Sequence, residues 1–134
     1  MLLFFKSMSN WGDIVTKKEL KKYLRLLPKL VSAIETHKPW TYIQISRKRQ
    51  KVVIHSWLNN VLKYLIALYD NSDWVTKKII NDSYFNNTDD RNIFSTLPIS
   101  EATYYRIKQQ IVNKIFSLLI LEGFVSYEEI LKDD

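Results

Sequence analysis

Residues 88–121 read TDDRNIFSTLPISEATYYRIKQQIVNKIFSLLIL. Thr88 or Asp89 can cap a short helix over Asp90–Ser95, because a side-chain oxygen there accepts from an otherwise unpaired N–H of the first turn. Thr96-Leu97-Pro98-Ile99 reads as a turn, since Pro98 has no N–H and disfavours a helical Leu97. Ser100 then caps a long helix, and Gly123 suits the position just past its end. Tyr104, Ile107, Ile111, Ile115 and Leu118 recur at three- and four-residue steps, the mark of one buried stripe. Short helix, tight turn and long helix together predict a helix-turn-helix. Turned away from the stripe are Glu101, Ala102, Thr103, Tyr105, Arg106, Gln109 and Gln110, a face dense in groups that can bond base edges and phosphates.

Upstream, the spacing predicts more helix. Residues 13–37 carry a stripe of Leu20, Tyr23, Leu24, Leu27, Leu30, Val31 and Ile34, opened by a capping box from Thr16 to Glu19. Lys17, Lys18, Lys21, Lys22, Arg25 and Lys29 fall mainly on one side of it. Pro28 predicts a kink or split, because it cannot donate to residue 24. A second helix is expected over 52–69, with Ile54, Leu58, Val61, Leu62, Leu65 and Leu68 inward and Trp57 and Tyr64 flanking. A turn cluster at Asp70–Asp73 leads to a third helix, Trp74 to Tyr84, broken by Phe85–Thr88. Between the first two helices, Thr41–Ser46 alternates as a strand or an extended arm would, and a hairpin near Tyr42–Ile54 is the one sheet expected. Arg47-Lys48-Arg49-Gln50-Lys51 is a dense basic cluster: phosphate contacts, or a solvated loop.

Composition agrees with an all-α helical bundle carrying a C-terminal helix-turn-helix. Only two Gly and three Pro punctuate 134 residues, too few for the tight turns of an all-β fold. The length fits a single domain, 1–134, with basic N-terminal helices over 13–70, the helix-turn-helix region over 72–122 and an acidic C-terminal helix over 124–134. With no Cys, there is neither a disulfide framework nor a thiolate metal site. Met1–Phe5 is too short for a signal segment, and the longest largely apolar run, Ile115–Leu121 with Ser117 inside it, is far short of the ~20 residues a membrane span needs, so a cytoplasmic protein off the membrane is expected. The net charge of +6 is uneven. Residues 1–69 hold 13 Lys/Arg against three acids, a balance of +10; residues 70–134 hold seven against eleven, a balance of −4. A basic half suits a polyanion, or merely a soluble surface.

Leu97–Lys108, with its Ser100-Glu101-Ala102-Thr103-Tyr104-Tyr105-Arg106-Ile107-Lys108 core, resembles the recognition-helix segment of the ArpU family of phage transcriptional regulators; the RinA- and LtrC-type late-gene activators are similar there. Tyr23–Leu30 is similar to an N-terminal helix of the family, and Ile80–Phe85 stands in the place of an aromatic-ended one. The chain departs from the pattern where Pro98-Ile99 replaces the usual Gly before the Ser turn, and where Ile93 and Phe94 replace a small Ala. The resemblance implies a helix-turn-helix like that of sigma factors, activation of late genes for packaging and lysis, and no catalysis.

The residues give no sign of an enzyme or of a cofactor: His37 and His55 lie far apart and outside any ligand pattern, and there is no Gly-rich loop. The expected partner is double-stranded DNA. Glu101, Thr103, Tyr105, Arg106 and Gln109 are the expected base contacts, and Ser100, Lys108, Arg47, Lys48, Arg49 and Lys51 the expected phosphate contacts. RNA polymerase and a second copy of the chain are candidate further partners. A different class of reading stays open: a helical module that binds another regulator or the polymerase without touching DNA. The helix opened by the capping box Ser126-Tyr127-Glu128-Glu129 would then serve as a contact, where otherwise it packs on the domain.

Overall fold

Thr16 starts the first helix, α1 (Lys17–Glu35), its hydroxyl accepting from the Glu19 N–H at 3.1 Å. A computed structural model describes residues 15–124; the apolar start at Met1–Phe5 and the helix expected near residues 126–131 lie outside them. The described residues are mostly helical, with one two-stranded antiparallel sheet. After α1 come β1 (Trp40–Ile45), β2 (Lys48–Val53), α2 (Trp57–Asp70), α3 (Trp74–Ile80), a π-helical turn over Asn81–Phe85, α4 (Asp90–Phe94) and α5 (Glu101–Leu121).

Of the kink or split expected at Pro28, the split does not occur: α1 is one helix through it. A proline inside a helix costs about 3 kcal/mol. Leu30, Ala33 and Ile34 beyond it are buried with Leu20, Tyr23, Leu24 and Leu27 before it, and each large apolar side chain gains about 1.5–3 kcal/mol on burial. Burial on both sides therefore outweighs the proline. At its C-terminal end, His37 takes a left-handed φ of 56° while Lys38 N–H donates to Ala33, closing the helix without glycine.

The hairpin is real, and it shortens the second helix. Val52 and Val53, expected in a helix, pair in β2, and α2 begins at Trp57. Ile45 pairs with Lys48, leaving Ser46-Arg47 as a two-residue turn with Ser46 at φ 56°. Ile43 and Val52 carry one face of the ribbon onto the core. Trp57 is fully buried rather than flanking, stacked on His55 and edge-to-face with Tyr23.

One core cluster joins all the helices, with α1 touching the hairpin, α2, α5 and the π turn. Val15 N–H donates to the Phe124 carbonyl at 2.8 Å, so the two ends of the described chain meet. In α5 the buried stripe bends from the expected line: Val112, Phe116 and Leu119 are buried with Tyr104, Ile111 and Ile115, while Ile107 and Leu118 are half-buried. The helix packs on both α1 and α2, and a helix wedged between two neighbours buries a wider arc than a simple stripe.

Candidate nucleic-acid interface

The start of α5 is built from local capping and one non-local clamp. The Ser100 hydroxyl accepts from Thr103 N–H at 3.1 Å and donates to Thr103 Oγ1 at 3.0 Å. Asp89 caps α4 the same way, accepting from Asn92 N–H at 2.9 Å. The clamp is Asp90. Its Oδ1 accepts from the fully buried Tyr104 hydroxyl at 2.6 Å and from the Lys108 ammonium at 2.8 Å. Ser83 of the π turn lies 3.4 Å from the same hydroxyl. Because Tyr104 donates to the carboxylate, Ser83 is the donor to Tyr104. One carboxylate thus ties α4 to two successive turns of α5, and the hydroxyl at its centre ties in the π turn.

Charge and burial shape the ionisation here. Partial burial would raise the Asp90 carboxyl, but the bonds from Lys108 and Tyr104 outweigh it and hold it below the usual carboxylate range. Burial, then its bond to Asp90, pushes the Tyr104 phenol far above its ordinary value; burial, then the Asp90 charge, does the same to Tyr84. Neither phenol ionises near neutral pH, so Tyr104 is a fixed donor.

On α5, at 100° per residue, Ala102, Arg106, Gln109, Gln110 and Asn113 form one exposed strip. Arg106 and Gln109 stand on it as expected; Gln109 also donates to Asn113 at 3.1 Å. Glu101 is exposed in the first turn. Thr103 is half-buried and held by Ser100. Tyr105, 45% exposed, leans to one edge, where its ring meets Tyr104 at 5.2 Å. Lys108 lies apart from the strip: it is paired with Asp90 and sits over the rings of Tyr84 and Tyr104. The basic cluster divides. Arg47 is in the hairpin turn and Lys48 beside it, whereas Arg49 and Lys51 lie over the rings of Tyr42 and Trp40.

An open groove of about 870 Å³ runs between α1 and the edge of α5. Lys17, Lys18, Lys21 and Arg25 line one wall, and Tyr105, Lys108 and Gln109 the other. Their placement beside α5 was not foreseen. The spacing of Lys17, Lys21 and Arg25, four residues apart, puts them on one helical face, but nothing local says what that face overlooks. Lys29, read with them, instead reaches the hairpin and donates to the Gln44 carbonyl at 2.6 Å. Among the described residues no group of three His, Asp or Glu could hold a metal ion, and no helix is long and apolar enough to cross a membrane. No protein-family model matches the sequence, and it matches no curated protein and no solved structure.

Proposed function

We propose that the chain is a sequence-specific DNA-binding transcriptional regulator, an activator of phage or prophage late genes, in which α4, its turn and α5 form a helix-turn-helix. The observation that carries this reading is the exposed strip of α5. Arg106, Gln109, Gln110 and Asn113 are side chains whose donors and acceptors match base edges, Arg to guanine and Gln or Asn to adenine. They sit on a helix whose opposite face is buried and whose first turn is fixed to α4 by Asp90. A reading helix must be held rigidly, since a bidentate pair breaks when the side chain is displaced by about 1 Å.

Further features support it. The capped N-terminus of α5 presents free N–H groups and the positive end of the helix dipole toward phosphate. The Lys17–Arg25 wall supplies positive charge along one edge of the strip. Arg47 and Lys48 at the hairpin turn add cations that no acid neutralises among the described residues. The resemblance of Leu97–Lys108 to the ArpU family points the same way.

Gel shifts with fragments of the neighbouring genome against scrambled duplexes test the proposal. Arg106→Ala should lower specific affinity about 10–100-fold and leave the fold intact, since a good bidentate contact contributes ~1–3 kcal/mol of discrimination. The rival reading, a module that docks on another regulator or on RNA polymerase, draws on the exposed apolar side chains Ile66, Tyr69 and Trp74. It prevails if the wild type prefers no fragment and Arg106→Ala changes nothing.

A further inference from the structure

Residues directly opposed in an antiparallel pair share a face. Trp40 opposes Val53, Tyr42 opposes Lys51 and Gln44 opposes Arg49, so these six stand on the outer face of the hairpin, away from Ile43 and Val52. Trp40 and Tyr42 meet edge-to-face at 5.2 Å, and keep 42% and 46% of their surface exposed. The Arg49 guanidinium lies 4.0 Å from the centre of the Tyr42 ring, and the Lys51 ammonium 4.6 Å from that of Trp40. Beside them opens a shallow hollow of about 460 Å³, lined by Lys38, Pro39, Trp40, Thr41, Tyr42 and Arg49. Residues 37–55 contain five Lys or Arg and no Asp or Glu. No cation of the hairpin is ion-paired among the described residues.

An exposed ring beside an unneutralised cation calls for a ligand with a flat apolar face next to a negative charge. A nucleotide has both, its base and its phosphate. We propose that the outer face of the hairpin is a binding platform for single-stranded nucleic acid. An unpaired base stacks in the hollow against Trp40, Tyr42 or the plane of Arg49, and Lys51 on the same face and Arg47 at the turn hold the flanking phosphates. This is the stacking-plus-charge chemistry by which sheet surfaces take single strands.

Other occupants fit less of the surface. A duplex hides its base faces in the stack and shows only edges. A side chain that wedges a duplex apart must enter between base pairs. Here the projecting tip is Ser46-Arg47, and the rings lie on the flank of the ribbon. An acidic peptide would neutralise the cations and leave the rings and the hollow unused. The proposal does not depend on α5 reading DNA.

The test is fluorescence anisotropy on the full chain, with labelled twelve-residue oligothymidine and oligouridine and a duplex of the same length. Replacing both rings, Trp40→Ala with Tyr42→Ala, should weaken single-strand binding about 10–100-fold, as expected for losing one or two stacked bases. The salt slope should stay as it was, because the rings release no counterions. Duplex binding should change less than twofold. Trp40→Phe with Tyr42→Phe should restore most of the single-strand affinity. Whichever oligonucleotide binds more tightly identifies the strand as DNA or RNA. Equal affinity in wild type and the double alanine variant would overturn the proposal, as would an equal loss on single strand and duplex. Should the alanine variant unfold, photocrosslinking bromouridine-substituted oligonucleotides to the wild type decides. Adducts on the peptide holding Trp40 and Tyr42 support the platform, and adducts only elsewhere refute it. Arg106→Ala should leave every one of these single-strand readouts unchanged.

Discussion

Replacing Tyr104 by Phe removes one oxygen and nothing else. The ring is fully buried, so its packing survives; what goes is the 2.6 Å hydrogen bond to Asp90 and the acceptor that Ser83 donates to. A hydrogen bond to a charged group is worth about 1.5–3 kcal/mol, and the partial exposure of Asp90 favours the lower part of that range. We therefore expect a loss of about 1.5–2 kcal/mol at pH 7, and a fall in Tm of roughly 5–10 °C for a chain of this size. The loss should depend on pH in a definite sense. The folded Asp90 carboxyl is held below its ordinary 3.8, so its contribution is complete above that value and fades as pH falls through the lower folded one. Urea unfolding of wild type and Tyr104→Phe at pH 7, and at the most acidic pH where both still fold, should show the difference shrinking by about half, as a charged hydrogen bond becomes a neutral one. In an Asp90→Asn background, Tyr104→Phe should cost no more than about 1 kcal/mol, and the double-mutant cycle then measures the coupling. A difference under about 0.5 kcal/mol at pH 7, or one that does not vary with pH, would show that the Tyr104–Asp90 bond does not hold α4 to α5.

Two further outcomes follow from the same structure. Ser100→Ala removes the cap of α5 and should cost about 1 kcal/mol of stability in thermal unfolding, with Ser100→Gly costing only a few tenths. Under the proposed DNA-binding function, changing Arg47, Lys48, Arg49 and Lys51 together to Ala should weaken specific and non-specific duplex binding alike. It should also flatten the plot of log affinity against log salt by about 0.9 for each phosphate no longer neutralised; an unchanged slope means none of the four touches phosphate.

Much of the helical frame was legible because it is written locally. Thr16, Asp73, Asp89 and Ser100 each accept from an N–H three residues on. The short helix, the turn and the long helix over 90–121 follow from such caps and from apolar steps of three and four. The exposed strip with Arg106 and Gln109 was legible for the same reason, since helical phase alone sets which side chains share a face. The hairpin was visible only as alternation in Thr41–Ser46. Its turn has no Asn-Gly or Asp-Gly signal, and Lys48–Lys51 reads as a charged loop until Trp40–Ile45 pairs with it.

What sequence alone determined, then, is the helices and the polar face of α5, all fixed by interactions spanning three or four residues. Tertiary structure decided the continuity of α1 through Pro28, the burial of Trp57, and the sorting of cations that look alike in sequence. Lys108 goes to Asp90, eighteen positions away. Lys29 goes to the hairpin, Arg49 and Lys51 go onto aromatic rings, and Lys17, Lys18, Lys21 and Arg25 go to the groove beside α5. A long cationic side chain has no strong local preference among solvent, a carboxylate and a ring face, because each is worth only about 1 kcal/mol at a partly exposed site. Its partner is therefore whichever group the packed core carries within reach.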